Sequence, residues 1–270
     1  MGIGFIGAGN MAGAIIKGLR RSGFKDDIFL TDVQPDKAKI IADEANAVLC
    51  QSNEEIIEKA EYVLLAVKPD MYKKVLESLS EKLSQKKPVI ISIAAGTCLD
   101  AVTEYAGIET LPVIRVMPNV NALVLEAVSA LCKNSHATEE NLNYVKSVFD
   151  AIGTTVLLDE KYFTAYTGIA GCSPAFAFLF IDSLANAAVK HGIPKETAVK
   201  IASQALLGSA KNLLHSGEVP WAMIEKVCSP GGTTIEGVLA LEEYGFNTAV
   251  VKAVDATIAK DNYLKEILSK

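Results

Sequence analysis

The stretch Ile3-Gly4-Phe5-Ile6-Gly7-Ala8-Gly9-Asn10-Met11-Ala12 decides how this chain is read. A short apolar run passes directly into G-x-G-x-x-A, and Gly13-Ala14-Ile15-Ile16-Lys17-Gly18-Leu19 continues with helical periodicity. Strand, glycine turn and helix in that order are the first half of a dinucleotide-binding βαβ unit. Gly7 permits the tight turn. Gly9 lets backbone approach a pyrophosphate, and Ala12 lets the helix lie close to the sheet. The unpaired N–H groups and positive dipole end of that helix then face the phosphates, with Asn10 and Met11 in its first turn. Ile28-Phe29-Leu30-Thr31-Asp32 supplies a second strand with an acid at its end. The plain alternative is an ordinary buried strand and turn.

Outward from this unit, strands alternate with helices. Residues 37–45 read as a helix and 47–49 as a short strand. Asn53-Glu54-Glu55 reads as a capped, acidic start to a helix reaching residue 60. Tyr62-Val63-Leu64-Leu65-Ala66-Val67 is continuously apolar, as a strand buried on both faces must be, and it stops at Lys68-Pro69. A helix over 71–83 leads to a strand at 89–93 and the loop Ala94-Ala95-Gly96-Thr97. The strand at 113–117 ends at Pro118-Asn119; an apolar run at 127–132, a helix over 139–152 and a strand at 154–158 follow. The alternation implies a mostly parallel, doubly wound sheet. Ligands of such sheets bind outside the carboxyl ends of the strands, so the residues there are the candidates. They are Gly7 to Ala12, Thr31-Asp32, Ala66-Val67-Lys68-Pro69, Ser92 to Gly96, and Met117-Pro118-Asn119. Each also reads as plain strand-end punctuation.

The chain has 270 residues, half of them hydrophobic, and a net charge of −6. This suits one large domain or two smaller ones and argues against nucleic acid or an anionic membrane as partner. The strand at residue 3 leaves no room for a signal peptide, and no uninterrupted apolar stretch reaches bilayer-spanning length, so a cytoplasmic protein is expected. Cys50, Cys98, Cys132, Cys172 and Cys228 are scattered and never form C-x-x-C, which suits reduced thiols. His136, His191 and His215 lack metal-ligand spacing, so no metal is expected.

After about residue 160 the β-rich runs stop. Helices are expected over 162–169, 174–191, 194–214, 221–227, 234–243 and 247–268. The division is therefore a Rossmann-type domain over 1–159 and an all-α domain over 160–270. The 174–191 segment is apolar on nearly every side, with Phe176, Phe178, Leu179, Phe180, Ile181 and Leu184. Such a helix is buried in a large core or against another subunit, and the rest of the helical half is too small to cover it, so a dimer is expected. Two glycine-rich corners interrupt this half: Gly171-Cys172-Ser173-Pro174 and Cys228-Ser229-Pro230-Gly231-Gly232-Thr233-Thr234. Both offer N–H groups, hydroxyls and a helix dipole to an anion, and a substrate carboxylate is the expected anion. Ordinary helix caps are the alternative.

A carbonyl substrate of a nicotinamide enzyme usually needs a His or Lys as proton donor. The strand ends offer no His, and Lys68 is the one lysine there. The helical corner that reads G-C-S-P-A-F-A has no Lys. A substrate that arrives already protonated, such as an iminium, needs no strong acid, and the hydroxyls of Ser229, Thr233 and Thr234 could orient its nitrogen and bind a carboxylate.

At these residues the chain resembles Δ1-pyrroline-5-carboxylate reductase. The resemblance rests on Gly4-Phe5-Ile6-Gly7-Ala8-Gly9-Asn10-Met11-Ala12, Ala66-Val67-Lys68-Pro69, Ser92-Ile93-Ala94-Ala95-Gly96 and Arg115-Val116-Met117-Pro118-Asn119. It rests more specifically on Thr167-Gly168-Ile169-Ala170-Gly171-Cys172-Ser173-Pro174-Ala175-Phe176 and Ser229-Pro230-Gly231-Gly232-Thr233-Thr234. It implies a Rossmann domain followed by a helical dimerisation domain, and reduction of the cyclic imine to L-proline by NADH or NADPH, the last step of proline biosynthesis. It also implies roles. Gly7, Gly9, Asn10, Met11 and Ala12 hold the pyrophosphate, while Asp32 and Asn53 approach the adenosine end. Ala66, Val67, Lys68, Pro69, Ala94, Ala95 and Gly96 line the cofactor. Met117, Pro118 and Asn119 sit near nicotinamide and substrate. Cys172, Ser173, Ser229, Gly231, Gly232, Thr233 and Thr234 hold the substrate, with the Thr234 hydroxyl directed at the ring nitrogen. Cys172 and Ser173 replace the middle of a usual Gly-Ser-Gly-Pro, and Asn121 stands where proline is common. Asp32 replaces a residue that often meets a 2′-phosphate, which favours NADH. The rival readings are a β-hydroxyacid dehydrogenase-like oxidoreductase, whose helical-domain lysine is missing here, and a non-catalytic dinucleotide sensor.

Overall fold

The structure, a computed structural model, describes residues 2–268. The chain divides into two compact units, one built from residues up to Gly171 together with those from Thr257 on, the other from Cys172–Ala256.

The first unit holds one sheet of β1 (Gly2–Ile6), β2 (Asp27–Thr31), β3 (Val48–Leu49), β4 (Tyr62–Leu65), β5 (Val89–Ser92), β6 (Val113–Met117), β7 (Ala127–Lys133) and β8 (Gly153–Leu157). Their spatial order is β3-β2-β1-β4-β5-β6-β7-β8. The first six are mutually parallel; β7 runs antiparallel to β6, and β8 parallel to β7. Chain order reverses between β1 and β4, so the crevice at their carboxyl ends is the topological switch point.

The continuous apolar strands are explained by cover on both faces. Ile3, Phe5, Ile28, Leu30, Leu64, Ile91 and Val116 point to one core. That core is completed by α1 (Asn10–Arg21), α2 (Pro35–Ala45) and α6 (Glu139–Asp150). Ile6, Val63, Leu65, Ile90 and Val113 point to the other, beneath α3 (Asn53–Lys59), α4 (Tyr72–Lys86) and α5 (Leu99–Ala106). Successive side chains on a strand alternate between faces, so the inner strands β1, β2, β4, β5 and β6 feed both cores. Gly4 is needed here, because a Cβ would lie 2.4 Å from the Ile56 side chain and push α3 off the sheet.

The structure corrects the sequence reading in three places. The cap of α3 is Ser52, whose Oγ accepts from the Glu55 N–H at 3.3 Å; Asn53 is already helical. The helix α5 fills a stretch between the loop at 94–97 and the strand at 113–117 to which the sequence reading assigns no element. Finally, the helical run Glu160–Lys190 is long and apolar enough to cross a bilayer by length and composition.

That run begins as a 3-10 turn (Glu160–Tyr162), continues through α7 (Phe163–Tyr166) and a π turn (Thr167–Gly171), and leads to α8 (Ser173–Lys190). The first parts are docked on the sheet: Phe163, Tyr166 and Ala170 form a core with Met117 and Ala130. The Tyr166 hydroxyl donates to Val128 O at 2.7 Å.

The second unit contains α8, α9 (Lys195–Ser216), α10 (Pro220–Val227), α11 (Thr233–Glu243) and the first part of α12 (Phe246–Leu268). Phe180 meets Phe246 with ring centroids 5.7 Å apart. Only Pro174 and Ala185 of α8 and Ala198 and Ala202 of α9 are buried. Phe178 and Leu179 are 61% and 68% exposed, so within one chain the apolar helix is uncovered.

Candidate active site

The glycine turn sits at the switch point because two backbone hydrogen bonds fix it there. Gly7 N–H donates to Thr31 O at 2.9 Å, and Ala66 N–H donates to Ile6 O at 2.8 Å. Gly7 has φ +107, and a Cβ there would stand 2.7 Å from Ala66 O. The turn thus joins the ends of β1, β2 and β4. At Gly9 the nearest atom to an added Cβ is Ala66 O at 3.9 Å, so the protein itself does not fill the space beside it. Helix α1 starts from Gly9 with no side-chain cap and no acid in its first turn. Its amide groups are those of Asn10, Met11 and Ala12, and its dipole favours an anion. Ala12 is fully buried against the sheet. These features fit a dinucleotide pyrophosphate.

Asp32 follows β2 and is half-buried. One carboxylate oxygen accepts from the Ala8 N–H at 2.6 Å, and the other accepts from the Gln34 N–H at 2.7 Å. The side chain therefore ties the glycine turn to the turn after β2, and its charge stands at the carboxyl end of β2. Asn53 lies in the first turn of α3, beyond the end of β3.

The loops after β4 and β5 carry the other expected lining residues. Ala66, Val67 and Pro69 are half-buried and Lys68 is exposed. Ala94 is buried, Ala95 exposed, and Gly96 has φ +78. Beneath both loops lies Tyr72, fully buried, whose phenol burial pushes up to about 12. Met117, Pro118 and Asn119 at the end of β6 are buried. The Asn119 amide donates to Ala170 O at 3.0 Å and its Oδ1 accepts from the Asn121 N–H at 3.3 Å, so this side chain joins β6 to the π turn.

Arg115 belongs to the resembling motif, yet its sequence position suggested no task. It is 3% exposed in mid-strand, donates to Glu160 Oε1 at 2.8 Å and lies 4.6 Å from the Phe163 ring centroid. The same Glu160 oxygen accepts from the Leu99 N–H at 2.8 Å. Burial, with Glu160 close by, pushes the neighbouring Cys132 thiol up to about 12.

The corners of the helical unit are formed locally. Cys172 and Ser173 are half-buried at the start of α8, where Pro174 has no N–H to offer. In the other corner Gly231 has φ +67, and Gly232 N–H donates to Ser229 O at 2.9 Å. A Cβ on Gly232 would meet Ser229 Oγ at 2.4 Å and Ser229 O at 3.0 Å, so a side chain there would displace the Ser229 hydroxyl. Gly232 caps α11 without a side-chain bond, and Ser229, Thr233 and Thr234 are exposed around that helix start.

The chain is 39% identical over 266 residues to the pyrroline-5-carboxylate reductase of Escherichia coli, covering 98% of each. The chain belongs to the pyrroline-5-carboxylate reductase family. Residues 160–264 match the family model for pyrroline-5-carboxylate reductase dimerisation, and residues 2–96 match that of coenzyme F420-dependent NADP oxidoreductases. Among solved structures, a 1-pyrroline-5-carboxylate reductase from Streptococcus pyogenes superposes with TM-score 0.86 at 38% identity, over 97% of this chain and 98% of that one. A Plasmodium falciparum pyrroline carboxylate reductase with NADP bound gives TM-score 0.85 at 28% identity, over 98% of both chains. Membership accounts for the Rossmann-type sheet followed by helices, and for oxidoreductase chemistry with a nicotinamide dinucleotide.

Proposed function

We propose that this chain reduces Δ1-pyrroline-5-carboxylate to L-proline with NADH or NADPH, completing proline biosynthesis in the cytoplasm. The observation that carries the reading is the pairing, in a chain of family length, of two helix starts whose N-cap is a glycine preceded by a positive-φ glycine turn: that of α1 at Gly9 after Gly7 and that of α11 at Gly232 after Gly231. Each is a ready anion site.

Gly7, Gly9 and the amides of Asn10, Met11 and Ala12 hold the pyrophosphate. Asp32 and Asn53 serve the adenosine end, and Ala66, Val67, Lys68, Pro69, Ala94, Ala95 and Gly96 line the remainder. When bound, the reduced dinucleotide supplies a hydride. The substrate nitrogen, protonated as an iminium, makes the adjacent carbon electrophilic without an acid from the protein, and its N–H stays with the product amine. The chain therefore has to orient rather than protonate. Met117, Pro118 and Asn119 form the floor near the reacting carbon. Cys172, Ser173, Ser229, Gly231, Gly232 and Thr233 hold the carboxylate, and the Thr234 hydroxyl fixes the ring nitrogen. We assign the Rossmann-type domain to residues 1–159 and the dimerisation and substrate domain to 160–270.

The exposed apolar face of α8 is read as the contact with a second copy of the chain, and not as a membrane span. The net charge of −6 disfavours nucleic acid and anionic lipid as alternatives. The function is tested by incubating purified protein with pyrroline-5-carboxylate and NAD(P)H. L-proline is expected to appear one for one with cofactor oxidised; oxidation without proline overturns the reading.

A further inference from the structure

Tyr72 occupies a place in the sheet that backbone would otherwise fill. Strands β4 and β5 are parallel, with Leu65 beside Ser92. Their ladder opens with Val89 N–H donating to Glu61 O at 2.9 Å. Such bonds recur at every second residue of a parallel ladder, so the series continues to Ile91 with Val63 and would close with Ile93 on Leu65. That last rung is not made directly. The Tyr72 hydroxyl donates to Leu65 O at 2.7 Å and accepts from the Ile93 N–H at 3.3 Å. The Ser92 hydroxyl donates to the same phenol oxygen at 3.4 Å. One oxygen thus stands between two strand ends and satisfies both.

The position is set by the chain just before it. After β4 the chain passes through Ala66-Val67-Lys68, makes the 3-10 turn Pro69–Met71, and enters α4 at Tyr72. The ring then reaches back beneath the loop it has just left. The two strand ends it separates carry the two loops assigned to the cofactor, residues 66–69 and 94–96. We infer that Tyr72 is a positioning residue, a wedge that sets the separation of these two loops and so the fit of the nicotinamide dinucleotide. The inference rests on the assignment of both loops to cofactor lining. Loss of the phenol oxygen frees Leu65 O and Ile93 N–H at once, and the loops above them lose their common anchor.

The test is steady-state kinetics of Tyr72→Phe with pyrroline-5-carboxylate and NAD(P)H each varied. Phenylalanine keeps the ring and removes only the oxygen. The cofactor KM, and the Kd read by fluorescence titration of NAD(P)H without imine, are expected to rise roughly three- to tenfold, the loss of about one net hydrogen bond. The kcat at saturation and the imine KM are expected to stay within about twofold. Ala95→Leu, in an exposed lining position, tests the lining assignment and is expected to raise the cofactor KM. If Ala95→Leu raises it and Tyr72→Phe does not, the wedge is wrong while the lining stands. If neither variant moves it, the lining assignment fails and the wedge falls with it. If Tyr72→Phe raises both KM values and lowers kcat alike, the hydroxyl is only structural and the inference is overturned. Should Tyr72→Phe not fold, Ser92→Ala loosens the same oxygen and is expected to raise the cofactor KM alone; no rise overturns the inference.

Discussion

The Thr234 hydroxyl is exposed in the first turn of α11, with Gly231 and Gly232 shaping the backbone before it. If it fixes the ring nitrogen, Thr234→Ala removes a hydrogen bond to a charged group. The expected loss is about 1.5–3 kcal/mol in the transition state, about ten- to a hundredfold in kcat. NAD(P)H affinity, measured by fluorescence titration, is expected to hold. An unchanged kcat removes Thr234 from the mechanism. Asp32 carries a different expectation. Its oxygens already accept from the Ala8 and Gln34 amides, and on the proposed reading its charge meets the 2′-phosphate of NADPH. Like charges about 4 Å apart repel by about 1 kcal/mol in water and by several at a partly shielded surface. The chain is therefore expected to prefer NADH, and Asp32→Ser to shift the kcat/KM ratio towards NADPH. A tenfold preference of the wild type for NADPH contradicts this. The sequence showed an acid at the end of a strand. It did not show that the acid also holds the glycine turn, because the Ala8 contact joins residues 24 apart.

At the scale of elements, the inner strands β1, β4, β5 and β6 were legible because burial on both faces leaves apolar runs with no alternation to mislead. The helix α5 was not. It is eight residues long, starts at Cys98 without a side-chain cap of its own, and takes its acceptor from Glu160, sixty-one residues away. Only Gly107, at φ +66 in its C-cap, marked it locally. The same Glu160 neutralises Arg115, whose Nε has no hydrogen-bond partner. One carboxylate thus holds a buried strand cation, a helix start and the entry to the helical segment. Glu160→Ala leaves Arg115 buried beside little more than the Phe163 ring. A loss of about 2–4 kcal/mol is expected in urea unfolding, and less for Glu160→Gln, which keeps an acceptor for the Leu99 amide. A loss below about 0.5 kcal/mol for Glu160→Ala, the level of an ordinary surface change, would show that the pair is not a structural anchor.

For the whole molecule, the apolarity of α8 was legible and its exposure was not, since a sequence does not say what covers a helix. In the structure Phe178 and Leu179 are more than half exposed, and the unit they belong to buries few side chains. A domain with so little core of its own is completed by a partner surface. Sedimentation velocity at low micromolar concentration is expected to show the wild type as a dimer and Leu179→Asp as monomer or aggregate. A compact, stable wild-type monomer would sink the dimer assignment. The chemistry can be addressed on the same protein. The most direct measurement is kcat/KM for pyrroline-5-carboxylate beside succinic semialdehyde and 3-hydroxyisobutyrate, each with its matched nicotinamide cofactor. A site that orients an iminium and offers no acid is expected to favour the imine by at least about a thousandfold, a gap of about 4 kcal/mol. Comparable or faster turnover of the semialdehyde or the hydroxyacid would contradict the assignment.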